Sequence, residues 1–214
     1  MASTINGLVA FITGAASGLG RGTLLHLLRN GAKGVCCFDK QAFKVTSGEE
    51  MPPNGEDRLV SIQGDVRNEN NVANAFASCF KKFGKIDLIV NCAAVTTAFF
   101  TYNPSNNKIY NLRDFQQVNE INIIGNFNVI RLGVGYLAKN DADEVNKLRG
   151  LIITTSGIHS SHSTKFLVKK SVKAMIVCEI FIVSWFIMIF YCFLVSFSQK
   201  SQLKYVFFAH IQSF

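Results

Sequence analysis

Short apolar runs punctuate the chain as far as residue 155: "LVAFI" at 8–12, "VCCF" at 35–38, "LVSI" at 59–62, "IDLIV" at 86–90 and "LIITT" at 151–155. Runs of this length without alternating polar positions suit strands covered on both faces, as in a parallel sheet wrapped by helices. Between them the period changes to that of a helix. "GRGTLLHLLRNG" carries Leu24, Leu25, Leu27 and Leu28 up to a helix-ending Asn30-Gly31, and residues 69–83 place Val72, Phe76, Cys79, Phe80 and Phe83 on one helical face. The most periodic stretch runs from about Arg113 to Lys139 and carries Phe115, Val118, Ile121, Phe127, Ile130 and Leu137. Strand, helix, strand, repeated, predicts an α/β fold: a Rossmann-type doubly wound parallel sheet in strand order 3-2-1-4-5, truncated after its fifth strand.

The pattern stops near residue 157. Of the 16 glycines 15 lie before that point, as do all three prolines, whereas nine of the 19 phenylalanines lie after it. The expected organisation is therefore a domain over 1–156 and a divergent hydrophobic tail over 157–214. Charge divides the same way: residues 1–150 hold 16 basic and 13 acidic side chains, residues 151–214 six and one, so most of the net charge of +8 belongs to the tail. A lysine run (Lys165, Lys169, Lys170, Lys173) precedes 23 residues, Met175 to Phe197, in which Glu179 is the only charge. A helix of that length spans ~34 Å, enough for a bilayer core. A membrane helix, a buried helix and a replaced end are the three readings of it.

The rest of the composition narrows the class. The first 150 residues hold neither a basic stripe interleaved with aromatics nor zinc-finger spacing, which points away from nucleic acid. Cys36, Cys37, Cys79, Cys92, Cys178 and Cys192 sit in apolar runs without paired spacing and read as buried thiols. His159 and His162 lack a cysteine or carboxylate at ligand spacing and read as loop residues, so no metal is expected.

Candidate chemistry begins at "FITGAASGLGRG", residues 11–22. A strand delivers the chain into Gly14, Gly18 and Gly20, and a helix starts at about Gly18. Glycines allow positive φ and close approach of a ligand, and a helix start offers unpaired N–H groups and partial positive charge to a pyrophosphate. Asp39 follows Gly20 by 19 residues at the end of the second strand, where a carboxylate accepts hydrogen bonds from ribose hydroxyls. It repels a 2′-phosphate by ~1 kcal/mol in water and up to ~4 at a partly shielded surface, so NAD is expected rather than NADP.

The TGxxxGxG spacing resembles the short-chain dehydrogenase/reductase family, and further segments carry the resemblance: "GDV" at 64–66, "FGKIDLIVNCAA" at 83–94 with Ala94 in place of the family's glycine, and "NEINIIGNFNV" at 119–129. "KIDLIVNCAAV", "TYNPSNNKIYNLRDFQQVNEINIIGNFNVIRL" and "RGLIITT" are most similar to members that oxidise 3-hydroxyacyl-CoA or 17β-hydroxysteroids, a likeness covering about residues 6–156. The resemblance implies an NAD site lined by Ser17, Leu19, Asp39, Asp65, Val66 and Cys92, with Asp65 at the adenine and Asn122 as the helix asparagine of the catalytic group. It also implies a small-molecule substrate, a homo-oligomer and a mitochondrial location. The tail adds membrane contact to the expected partners.

One departure is expected to matter. The family donates a proton from a tyrosine whose pKa is lowered by a lysine four residues on, one helical turn away. None of Tyr102, Tyr110, Tyr136, Tyr191 and Tyr205 has lysine at that spacing. Alignment on "RGLIITT" puts Gly157 at the family's serine, with Ser156 one place before it, Lys170 at the tyrosine and Ala174 at the lysine. The expectation is a dehydrogenase by resemblance that is inactive in this form, with a non-catalytic NAD-binding or membrane-attached interaction protein as the alternative.

Overall fold

The computed structural model describes residues 5–45, 51–96, 102–103, 106–144, 148–155 and 206–207. Val9–Thr13 (β1) leads into Gly18–Arg29 (α1), Gly34–Asp39 (β2), Leu59–Gln63 (β3), Glu69–Phe83 (α2) and Leu88–Asn91 (β4). A small antiparallel hairpin, Tyr102–Asn103 (β5) with Lys108–Ile109 (β6), stands apart from the main sheet. Leu112–Asn119 (α3), a π-helical turn over Glu120–Gly125 and Asn126–Leu137 (α4) then form three helical pieces in direct succession before Leu151–Thr154 (β7). The main sheet runs β3-β2-β1-β4-β7, every pairing parallel, which is the expected order. Beyond it Val206–Phe207 (β8) pairs parallel with Ile152 and Ile153, an addition that the sequence pattern does not announce.

The sheet's two faces are filled by different helices. Leu24, Leu25, Leu27 and Leu28 of α1 pack with Ala10, Ile12, Val35 and Val90 on one face. On the other, α2 and α4 close over Phe11, Phe38, Cys36 and Ile89. There Phe76 stacks on Phe11 with ring centroids 4.0 Å apart and on Tyr136 at 5.4 Å. Burial on both faces holds for β1, β2 and β4 but not for β3, an edge strand whose side chains are half-buried or exposed.

Helix α2 occupies the expected residues 69–83 because both ends are specified. Asn68 accepts a hydrogen bond from the Asn71 N–H, and Gly84 closes the helix at φ +79°. The long periodic stretch is helical as expected but not of constant pitch. The π-helical turn advances the chain by an extra residue, and the buried positions after it are Asn128, Val129, Gly133 and Leu137, with Ile121 and Gly125 in the turn itself. Phe127 is 38% exposed, and α3 buries none of its residues, with Phe115 and Val118 half-buried.

Cys36, Cys37 and Cys79 are buried free thiols and Cys92 is half-buried. Cys178 and Cys192 lie outside the described residues, as does the apolar segment 175–197. Among the described residues no helix is long and apolar enough to cross a membrane.

Truncating Phe76 removes the ring at the centre of the aromatic stack, whereas its neighbour Phe80 is half-buried and packs against the outer side of Tyr136. Phe76→Ala should cost about 3–5 kcal/mol in urea unfolding and Phe80→Ala clearly less; equal losses would contradict this assignment of the core.

Candidate nucleotide site

The carboxyl ends of β1, β2, β3 and β4 converge on the turn after β1. Gly14 sits at φ +66°, and its N–H donates to the Phe38 carbonyl at 2.9 Å. A Cβ there would lie 2.7 Å from the Ala93 nitrogen and 2.8 Å from the Cys92 carbonyl carbon. A Cβ on Gly20 would lie 2.3 Å from the Gly14 oxygen, so this glycine lets α1 press against the turn. Gly18 differs from both. It holds φ +49°, and apart from its own chain neighbours and helix backbone no atom lies within 4 Å of where its Cβ would stand, so this side of the helix start is open. Ser17 precedes the helix in extended conformation and makes no side-chain cap, and Leu19 is 44% exposed beside it. Unpaired helix-start N–H groups beside bare backbone are what a phosphate requires.

Asp39 ends β2 and braces this turn. Its Oδ2 accepts from the Ala16 N–H at 3.0 Å and its Oδ1 from the Gln41 N–H at 2.9 Å. A carboxylate offers about four lone-pair positions, which leaves capacity for two ribose hydroxyls. Arg21, which the sequence reading passed over, closes the same corner: its guanidinium donates to the Ala16 and Lys44 carbonyls at 3.1 and 2.6 Å and lies 4.5 Å over the Phe43 ring. Its only local signal is an arginine next to the last glycine of the turn.

Asp65 follows β3 and receives Arg67 and Lys40, at 2.7 Å (Nη2) and 3.2 Å (Nζ). Hydrogen bonds from Arg67 hold its carboxyl well below the usual carboxylate range. Val66 is buried beneath Gly125, and its carbonyl accepts from Asn128 Nδ2 at 2.8 Å. The Cys92 N–H donates to the Thr13 carbonyl at 3.2 Å, and burial pushes the Cys92 thiol up to about 11. That thiol is not a nucleophile near neutrality.

Asn122 lies on the π-helical turn and faces the loop after β4. Its Oδ1 accepts from the Val95 N–H at 2.9 Å and its Nδ2 donates to the Val95 carbonyl at 2.8 Å. The structure thus gathers Gly14, Ser17, Gly18, Leu19, Gly20, Asp39, Asp65, Val66, Cys92 and Asn122 at the carboxyl end of the sheet. Ser156 lies outside the described residues, together with His159, His162, Lys170 and Ala174.

A profile of the family described as short chain dehydrogenase matches residues 8–174. The chain belongs to this family. Among its curated relatives, 3-hydroxyacyl-CoA dehydrogenase type-2 of Drosophila melanogaster is 39% identical over 154 residues and that of Homo sapiens 38% over 155. Ipsdienol dehydrogenase of Ips pini is 34% identical over 163 residues. Each alignment covers 72% of this chain and 58% of the relative, so the chain spans less than two thirds of the length of these proteins. Two solved structures show the same fold. The 3-ketoacyl-(acyl-carrier-protein) reductase from Brucella melitensis, complexed with NADH, matches with a TM-score of 0.65 at 20% identity, over 90% of this chain and 71% of that one. Thermoplasma acidophilum aldohexose dehydrogenase, in ligand-free form, matches at 0.63 and 17%, over 94% and 65%.

The three glycines of this short-chain dehydrogenase turn have separable duties. Gly18→Ala strains a left-handed residue in open space and should cost only about 1–2 kcal/mol, while Gly20→Ala drives a Cβ into backbone and should cost at least about 3. Urea melts of the two variants check the order, and a milder effect at Gly20 would contradict the packing described.

Proposed function

We propose that the chain binds NAD along the carboxyl ends of β1 to β4 and carries the nucleotide-holding half of a 3-hydroxyacyl-CoA-type dehydrogenase, inactive in this form. The observation that carries this reading is the pairing of an open, left-handed Gly18 at the start of α1 with Asp39 at the end of β2. Ser17, Gly18 and Leu19 would hold the pyrophosphate with backbone N–H groups, and Asp39 the adenosine ribose. Asp65 and Val66 would meet the base, and Cys92 would lie along the nicotinamide end. Bound NAD would supply a hydride acceptor for a secondary alcohol; the residues named here bind and orient it. By likeness to the curated relatives the substrate class is a 3-hydroxyacyl-CoA; a hydroxysteroid substrate, self-association and a mitochondrial location are proposed from the motif resemblance of the sequence alone.

Proton transfer is a separate matter. With Lys170 where the family's tyrosine stands and Ala174 where its lysine stands, this chain has no positioned acid at those places, a loss of ~10²- to 10⁴-fold in rate. Asn122, whose side chain is tied to Val95, carries no exchangeable acidic proton to replace it. The same departure favours a second reading, a non-catalytic NAD-binding protein that acts through a partner or a membrane.

Calorimetric titration of the full chain with NAD and NADP tests the reading. NAD should bind about tenfold more tightly or better, a preference that Asp39→Asn should erode by removing the charge; equal or tighter NADP binding removes Asp39 from the ribose. In a steady-state assay acetoacetyl-CoA and a hydroxysteroid should show no turnover, and turnover of about one per second, the low end for ordinary enzymes, would place a proton donor in this chain.

A further inference from the structure

The carboxylate assigned to the base is already crowded. Asp65 Oδ1 accepts from the Arg67 backbone N–H at 3.0 Å and from Arg67 Nε at 3.1 Å. Its Oδ2 accepts from Arg67 Nη2 at 2.7 Å, again from Nε at 3.1 Å, and lies 3.2 Å from Lys40 Nζ. The other arm of the guanidinium, Nη1, donates to Glu120 Oε2 at 3.1 Å. Arg67 therefore spans from the loop after β3 to the π-helical turn that carries Asn122, and a planar fork gripped at both ends has little freedom to rotate. Asn71 Oδ1 accepts from the Asp65 N–H at 3.2 Å and fixes the backbone beneath.

Against a carboxylate's four or so lone-pair positions, Arg67 occupies Oδ1 twice and shares Oδ2 with Lys40. The two donors are held differently. The Lys40 side chain is 57% exposed and its contact is the longest of the set, while the Asp65 side chain keeps 22% of its surface open. An exposed lysine pair of this kind contributes little, so an incoming donor can displace it. An exocyclic amine is such a donor; a ring carbonyl is not, because it would set an oxygen lone pair against a carboxylate that has no proton to share.

We propose that Arg67 is a positioning residue for recognition of the base: it holds Asp65 as an acceptor-only edge that admits a six-amino purine in place of Lys40 and rejects a six-oxo purine. The inference rests on the nucleotide-binding reading above and adds to it a selectivity and the residue that sets it. The pairing of Arg67 with Glu120 joins residues 53 positions apart, and nothing local to "GDVR" marks it.

The test is titration of the full chain, by cofactor fluorescence, with NADH and with its hypoxanthine counterpart, reduced nicotinamide hypoxanthine dinucleotide. The adenine form should bind about tenfold or more tightly, the scale of a lost hydrogen bond to a charged group. Arg67→Met should bring the two forms to within about threefold, Arg67→Lys should recover part of the difference, and Lys40→Met should leave it intact. The preference for NADH over NADPH, which Asp39 sets, should persist in all three variants. Equal weakening of both base forms by Arg67→Met, with their ratio unchanged, would make Arg67 a stacking or structural group and overturn the proposal. So would a wild-type chain that binds both bases alike. A chain that binds neither form would instead defeat the nucleotide-binding reading, and this inference with it.

Discussion

Bare backbone meets bare backbone at Gly14, and the rest of the site is arranged around that contact. The turn after β1 touches the start of the β4 loop at Cys92 and Ala93, bonds to β2 through Phe38, and receives α1 through Gly20. A side chain at Gly14 or Gly20 would have to move backbone, not the flexible end of a neighbour, so the contact tolerates no intermediate degree of fit. Because the three partners are strand ends and a helix start, the constraint fixes where the first turn of α1 points. It points out of the carboxyl edge of the sheet, between β1 and β4, where the strand order reverses and where open α/β sheets receive ligands.

Polar side chains then act as fittings on this frame. Asp39 and Arg21 both hold Ala16, one by accepting from its N–H and the other by donating to its carbonyl, so the turn is clamped from two elements at once. Asn122 pins the loop after β4, and the Asp65–Arg67–Glu120 chain ties β3 to the π-helical turn on which Asn122 stands. The links from Asp39, Arg21 and Asn122 satisfy loop backbone groups that would otherwise be left without partners. The outcome is a sheet edge whose polar atoms are already oriented, with open space beside Gly18.

How much of this was legible in the sequence depended on whether the determining partner was near in the chain. The strand runs and the span of α2 were readable because continuous apolar runs and helical spacing act within a few residues; in the structure the Asn68 cap and Gly84 fix the helix ends. The phosphate turn and Asp39 were readable because glycine spacing and a strand-end carboxylate have a direct chemical meaning. The Arg113–Lys139 stretch is helical as its periodicity implies and buries Ile121 and Leu137, but a π-helical turn breaks the constant pitch on which periodicity relies, and Phe127 lies exposed. Arg21 and Arg67 went unnoticed because their roles exist only once distant backbone and Glu120 are brought beside them.

The central claim is that the carboxyl edge built around Gly14 holds a dinucleotide. Hydrogen–deuterium exchange of the full chain with and without saturating NADH tests it most directly, because it reports on where protection falls. The account predicts slowed exchange over residues 14–20, 39–41 and 64–67, with α2 and the β5–β6 hairpin unchanged. Protection absent from the 14–20 turn, or concentrated on the amino ends of the strands, would contradict it.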